Sequence, residues 1–281
     1  MRVLVTGALG MLGHALMNQL QGRHEIVGVD IQDADLRDAG AVMRLVKTHS
    51  PETVIHAAAY TDVDGCETDP PRAWENNAQA TLHVAQACKA VGATMVYIST
   101  DYVFDGTKTD PYVEEDAPNP LNVYGQTKLR GEQYVQETLT RFFIARTSWL
   151  YGPHGKNFVD TIRRLALERN ELRVVNDQRG SPTYTVHLAS KIRELVETNQ
   201  YGIYHITGSG ACTWFELARY TVELCGPRGV VVTSTSTVES NRPAKRPANS
   251  VLENRNLRRF GLEILPHWRE GVREHLRGPG N

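Results

Sequence analysis

The first twenty residues constrain the fold more than any other stretch of this chain. Met1-Arg-Val-Leu-Val-Thr6 is an apolar run of strand length, Gly7-x-x-Gly10-x-x-Gly13 follows it directly, and His14 to Leu20 carries apolar residues at helical spacing. Strand, glycine turn and helix start come in the order that a dinucleotide site requires. Glycines let backbone amides at a helix N-terminus come close to a pyrophosphate, where the helix dipole favours negative charge. Gly7, Gly10, Met11, Leu12 and Gly13 are therefore candidate cofactor contacts. The spacing is not G-x-G-x-x-G, so a plain tight turn is the alternative reading of the glycines alone.

Glu25-Ile-Val-Gly-Val-Asp30 reads as a second short strand ending in an acid, at the distance expected of a group that binds the adenosine ribose. A carboxylate at Asp30 accepts from a 2′-hydroxyl and repels a 2′-phosphate, which argues for NADH. An exposed turn aspartate is the alternative. Arg37 is the first basic residue after it, so the phosphate of NADPH would have to find Arg37 or a residue distant in sequence.

Further strand-like runs recur at Thr53 to His56, Thr94 to Ser99, Phe142 to Arg146 and Ile203 to Ile206. Segments of helical pattern separate most of them, including Ala39 to His49, Ala73 to Val91, Tyr124 to Thr138, Phe158 to Arg169, Val186 to Thr198 and Thr213 to Leu224. That alternation predicts an α/β fold: a Rossmann-type, doubly wound parallel sheet built from right-handed crossovers. The rhythm breaks after Arg146, with loops at Gly152 to Asn157 and Asp177 to Thr183 and a Pro- and Arg-rich piece at Asn241 to Pro247. We expect residues 1–150 to form the nucleotide-binding domain. Residues 151–281 then form a smaller, discontinuous substrate-binding lobe, with some segments returning to the sheet.

The 281 residues carry 31 basic and 32 acidic side chains, a formal net charge of −1, so no global field favours nucleic acid or an anionic membrane. Cys66, Cys88, Cys212 and Cys225 show no C-x-x-C pair and read as reduced thiols. No apolar span approaches membrane length and no leader precedes the first strand, so the expectation is a soluble, cytoplasmic protein. The ten histidines lack metal-ligand spacing, and His56 inside an apolar run reads as a satisfied strand-end residue. No metal is assigned.

Reduction of a ketone by a nicotinamide needs a hydride donor over the carbonyl carbon and an acid that protonates the oxygen. Tyr124 and Lys128 stand four residues apart, on one face of a helix. A lysine ammonium there favours the phenolate of a tyrosine whose ordinary pKa is about 10, and it can also hold the nicotinamide ribose. Thr100, at the end of Met95-Val-Tyr-Ile-Ser-Thr, can donate to the same substrate oxygen. A lone Y-x-x-x-K means little. Behind a glycine turn and an acid-ended second strand it becomes a reduction site.

Several blocks carry a resemblance: Gly7 to Gly13, His56 to Thr61, Ser99-Thr-Asp-Tyr-Val-Phe-Asp-Gly106, Pro120 to Lys128, Arg146-Thr-Ser-Trp149-Leu-Tyr-Gly152, Asn176 to Thr183 and Arg246-Pro-Ala-Asn-Ser250. Over essentially the whole length they resemble the extended short-chain dehydrogenase/reductases, and within these the dTDP-4-dehydrorhamnose reductases. The resemblance implies Thr100, Tyr124 and Lys128 as catalytic residues, Ala57, Ala58 and Ala59 along the cofactor, and Asp35 and Leu36 near the adenine. It also implies Asp101 and Trp149 against the substrate sugar, a family tolerant of both NADPH and NADH, and a nucleotide-sugar substrate. Arg246 is a candidate for the diphosphate. Bland alternatives are a core aromatic for Trp149 and a solvated charge for Arg246. His56 and Tyr60 stand where many relatives carry Asn and His, which blurs cofactor preference.

Some relatives form a metal-bridged dimer, so a homodimer is admitted; Glu270 and Glu274 share a helix face, as exposed helix acids commonly do. Competing readings within the superfamily are 4,6-dehydratases and epimerases. The dehydratases commonly carry Asp-Glu after the strand-end Thr, whereas Thr100-Asp101 is followed here by Tyr102. A different class is the regulatory β subunit of methionine adenosyltransferase, which shares the Asp-Tyr-Val-Phe-Asp-Gly block.

Overall fold

The computed structural model describes residues 1–225, 227 and 229–278. Strands β1 (Arg2–Thr6), β2 (Glu25–Val29), β3 (Thr53–His56), β4 (Thr94–Thr100), β5 (Phe142–Thr147) and Gly202–His205 build one sheet, in the order β2-β1-β3-β4-β5 and then Gly202–His205. Every pairing in it is parallel. All six strand-like runs of the sequence are in this sheet, within a residue or two of their expected ends. The order reverses between β1 and β3, and in open α/β sheets ligands bind at such a switch point, beyond the carboxyl ends of the strands.

Strands β1, β3, β4 and β5 are buried on both faces, which is why they read as continuous apolar runs rather than as alternation, while the edge strand β2 is only partly buried. Val3 and Val5 project to one side, into a core shared with helix α1 (Met11–Leu20) and with Leu188 and Ile192 of helix Thr185–Val196. Leu4 projects to the other, with Val42 and Val46 of α2 (Ala39–His49), Val84 of helix Ala80–Val91 and Val135 of helix Val123–Thr138. Burying each such aliphatic side chain contributes about 1.5–3 kcal/mol.

One helix differs from its expectation. The segment expected as Ala73 to Val91 starts at Pro70 and carries a π-helical stretch, Trp74–Gln79, before continuing as Ala80–Val91. The wide turn carries a buried Asn77, whose amide oxygen accepts from the Tyr60 N–H (2.8 Å) and whose amide nitrogen donates to the Tyr60 carbonyl (3.0 Å) and the Thr127 hydroxyl (3.2 Å). One side chain thereby ties the loop after β3 to the helix that holds Tyr124. Such widened turns are frequent at functional sites. A single widened turn leaves no mark on a 3.6-residue periodicity.

Past β5, helices Phe158–Glu168 and Trp214–Cys225 pack Ile162, Ala166 and Ala218 against Leu172 and Val174 of the strand Glu171–Val175. That strand pairs in parallel with Val231–Thr235. All four cysteines are free, and Cys225 alone among them is only partly buried. No helix among the described residues is long and apolar enough to cross a membrane.

Candidate active site

The glycine turn is built as its spacing suggests. Gly7 sits at φ +70°, and a Cβ on it would lie 2.7 Å from the Ala58 nitrogen; a Cβ on Gly13 would lie 2.1 Å from the Gly7 carbonyl oxygen. Those two glycines are required by the chain's own packing. Gly10 is different: it caps α1 with no side-chain hydrogen bond, and a Cβ there would meet only the Gly7 oxygen at 3.2 Å. The first-turn amides of α1 therefore lack a side-chain cap, and a phosphate is the partner they suit. The residues present fit a dinucleotide.

Beside this turn a cavity of about 430 Å³ is lined by Gly7, Gly10, Asp30, Asp35, Leu36 and Ala57 to Ala59. Asp30 accepts from the Leu9 N–H at 3.0 Å and the Ile31 N–H at 2.8 Å, which fixes its carboxylate at the rim. Arg37 also lines the cavity and forks onto Asp35, donating from Nε at 2.9 Å and from Nη2 at 2.7 Å. Hydrogen bonds from Arg37 hold the Asp35 carboxyl down at about 2. The acid expected near the adenine thus brings a guanidinium with it.

A second cavity of about 440 Å³ continues the first through Gly7, Gly10, Ala57 and Ala59. It gathers Met11, Leu12, Gly13, Thr100, Asp101, Tyr124, Lys128 and Trp149, drawn from four separate stretches of chain. Helix Val123–Thr138 starts where it does because Asn122 caps it, accepting from the Gly125 N–H at 2.8 Å. Tyr124 and Lys128 follow in its first two turns. Thr100 ends β4; its hydroxyl donates to Asp101 at 3.0 Å and accepts from the Tyr102 N–H at 3.1 Å.

Burial governs the charges here. It raises the Tyr124 phenol well above the ordinary range, the Asp101 charge adds to the rise, and a Thr100 hydrogen bond opposes it. Burial also pushes Asp101 up to about 7, against hydrogen bonds from Ser250 and Thr100. Lys128 is pushed down to about 7, with Glu132 opposing. Lys128 is expected to draw the phenol toward ionisation; desolvation and the Asp101 charge act in the opposite direction, and Lys128 is itself only partly charged near neutral pH. A protonated Tyr124 is the form that donates a proton.

Trp149 takes a left-handed backbone (φ +49°) and stacks on Trp214, with ring centroids 3.5 Å apart and planes 4° from parallel. Trp214 lines the Tyr124 cavity and a larger one of about 900 Å³, which it shares with Tyr102, Arg173, Arg242 and Arg246. Arg246 is neither free nor solvated: it forks onto Asp64 at 3.1 and 3.0 Å and donates to the Ala244 carbonyl at 2.9 Å. It sits apart from the Tyr124 cavity, across Tyr102.

Sequence reasoning missed Trp214, Asp64, Asn77 and Arg242. Trp214 carries no local motif, and Asp64 gains its meaning only from Arg246, 182 residues away. His56, read as a satisfied strand-end residue, is bonded at both ring nitrogens, to Thr6 at 2.7 Å and to Thr81 at 3.2 Å.

The family model described as the RmlD substrate binding domain matches residues 1–278. The chain is 42% identical over 280 residues to a dTDP-4-dehydrorhamnose reductase of Streptomyces griseus, covering 97% of this chain and 92% of that one. It is 40% identical to the spore coat polysaccharide biosynthesis protein SpsK of Bacillus subtilis, over 98% and 96% of the two chains. The crystal structure of dTDP-4-dehydrorhamnose reductase from Bacillus anthracis in complex with NADP is 41% identical and matches with a TM-score of 0.96, covering 98% of each chain. On its matched family model and on these near-full-length relatives, the chain belongs to the dTDP-4-dehydrorhamnose reductase family.

Proposed function

We propose that this chain reduces the 4-keto group of dTDP-4-dehydro-6-deoxy-L-mannose (dTDP-4-dehydrorhamnose) with NADPH or NADH, giving dTDP-L-rhamnose. The observation that carries the reading is one continuous cleft, running from an uncapped glycine turn to a half-buried Tyr124, its phenol held toward the protonated form, beside Thr100 and Lys128. In this reading residues 1–150 hold the cofactor and residues 151–281 the sugar nucleotide. The amides after Gly10 take the pyrophosphate, Asp30 the adenosine ribose, Asp35 and Leu36 the adenine side, and Ala57 to Ala59 the far wall. When bound, the reduced nicotinamide supplies the hydride.

Tyr124 supplies the proton. As the carbonyl π electrons move onto oxygen, the phenol O–H bond breaks toward that oxygen, and the product is an alcohol. Lys128, one turn on, offers positive charge to the resulting phenolate and a donor to the nicotinamide ribose. Thr100 holds the ketone oxygen in place by turning its hydroxyl proton from Asp101 to that oxygen, while its own oxygen goes on accepting from the Tyr102 amide. Trp149 and Asp101 flank the hexose, and Arg246 serves the diphosphate from the far side of Tyr102.

The test follows loss of reduced-nicotinamide absorbance with a panel of nucleotide 4-ketosugars that vary base and stereochemistry. Turnover is expected with dTDP-4-dehydrorhamnose. Tyr124→Phe keeps the ring and should lose roughly 10²–10⁴-fold in kcat. Undiminished turnover in that variant removes Tyr124 as the acid, and a preference for another ketosugar reassigns the substrate.

A further inference from the structure

Beneath the catalytic helix lies a buried ion pair that the reaction as described does not use. Glu132 stands one helical turn past Lys128 and has no exposed surface, and Arg146 on β5 is almost equally buried. Both carboxylate oxygens are fixed. The Ser99 hydroxyl donates to Oε1 at 2.5 Å and Arg146 Nε to the same atom at 2.9 Å, while Arg146 Nη2 donates to Oε2 at 2.7 Å. A pair held by three bonds cannot turn, so it is a fixed dipole. Its negative end lies on the helix that carries Lys128. Its positive end is carried by β5, with the guanidinium over the Phe104 ring at 5.2 Å and Nη1 buried without a partner.

The other groups around Lys128 do not supply its counter-charge. His56 on β3 is neutral, because burial and the Lys128 charge push it down to about 3. Tyr97 on β4 presents its ring face 4.1 Å from the Lys128 Nζ and donates its hydroxyl to the Lys128 carbonyl at 3.3 Å, which places the amine but brings no formal charge. Asp101, beyond the end of β4, acts on Tyr124, and Tyr124 on the same helix is a neutral phenol. Arg146 on β5 is repulsive. That leaves Glu132 as the counter-charge to a lysine stripped of water.

We propose that Glu132, clamped by Arg146 and Ser99, is a positioning residue that raises the charged fraction of Lys128 inside the cleft, where burial alone would neutralise the amine. It touches neither substrate nor cofactor and acts through Lys128. The pair's value lies in its orientation, since a buried pair is weak evidence for stability as such. Four residues on along the same helix, the carboxylate is a neighbour of Lys128 on one helix face and favours its charged form.

The inference rests on the role given to Lys128 above, so the closing experiment titrates that amine without turnover. The full-length protein is labelled briefly with limiting acetic anhydride across a pH series, and acetylation at Lys128 is read by mass spectrometry, only the neutral amine reacting. Glu132→Gln should move the midpoint down by about one pH unit or more, a tenfold gain in neutral amine at a given pH. Because that variant leaves Arg146 unpaired and can fail to fold, Glu132→Gln/Arg146→Met, which removes both charges, is the second arm, with the same direction expected. A purely structural pair lowers the Tm of the double variant and leaves the midpoint at its wild-type position. A folded double variant with an unmoved or raised midpoint overturns the proposal. The alkaline limb of kcat, where substrate is turned over, should shift with the label; a moved midpoint with a fixed limb supports the charge control and counts against Lys128's place in the proposed reaction.

Discussion

The two ends of the cleft are built from different materials. The cofactor end is largely backbone: a positive-φ glycine, an uncapped helix N-terminus and three alanines whose contribution is their smallness. The substrate end is side chains from remote segments, Trp149 on Trp214 and Arg246 on Asp64, each engaged with another protein group. A backbone site is encoded where it stands, because the glycines that shape it are neighbours in sequence. A side-chain site is encoded jointly by residues that meet only after folding.

The sharpest way to break this contrast is through the glycines. Gly13→Ala puts a carbon 2.1 Å from a backbone oxygen and 2.7 Å from Ala8 backbone atoms, so the turn or the helix must shift. Overpacking against backbone costs about 1–3 kcal/mol or more, and the expected result is a lower Tm together with lost cofactor binding. Gly10→Ala meets a single oxygen at 3.2 Å and should keep its Tm while weakening the cofactor. Equal Tm losses in both variants would show that the turn serves packing at every glycine.

Asp101 tests the join between the two ends. Its carboxyl has a folded pKa of about 7 against an ordinary 3.8, so the fold favours the protonated acid. A raised folded pKa gives stability that is fully present below about pH 4 and is lost as pH rises through about 7. Asp101→Asn removes the titration, so thermal unfolding from pH 4 to 8 should be flatter than in the wild type, by a difference of a few kcal/mol at most. Parallel curves would mean that Asp101 is solvated in the folded protein.

What the sequence disclosed follows the same division. Six strands and most helices were legible because a sheet buried on both faces writes apolar runs, and because Gly7 to Gly13 mark a helix start locally. Tyr124 and Lys128 were legible because four residues on a helix define a face. Their charges were not, since burial sets them and burial is a property of the assembled cleft. The Trp149–Trp214 stack and the Asp64–Arg246 fork were invisible for the same reason.

Arg246 sharpens the substrate end. A fork already satisfied by Asp64 has less to offer a diphosphate than a free one, so Arg246→Ala should raise the KM for the sugar nucleotide about tenfold, the low end for a charge-assisted bond worth about 1.5–3 kcal/mol. Asp64→Asn separates two meanings of the pair. If the carboxylate competes with the diphosphate, KM falls; if it aims the guanidinium, KM rises with the Arg246→Ala value as its ceiling. A KM unmoved by either change leaves the fork as a tie between the short helix Val63–Thr68 and the segment Asn241 to Pro247.

The smallest effect belongs to cofactor choice at the other end. Asp30 lines the cavity with its carboxylate pinned by two backbone amides, which disfavours a 2′-phosphate, while Arg37 faces the same space and favours one. Arg37 is forked onto Asp35 and about half exposed, so its attraction is screened, as exposed charge pairs are. Neither term dominates, and a preference of severalfold is what such a balance gives. Asp30→Ser removes the repulsion and keeps a hydroxyl for the ribose, so the ratio of kcat/KM for NADPH over NADH should rise by about three- to tenfold, equivalent to roughly 1 kcal/mol. Arg37→Ala should move that ratio the other way by less. If Asp30→Ser leaves the ratio where it is, the carboxylate is a turn cap for Leu9 and Ile31, and the adenosine ribose lies elsewhere in the cavity.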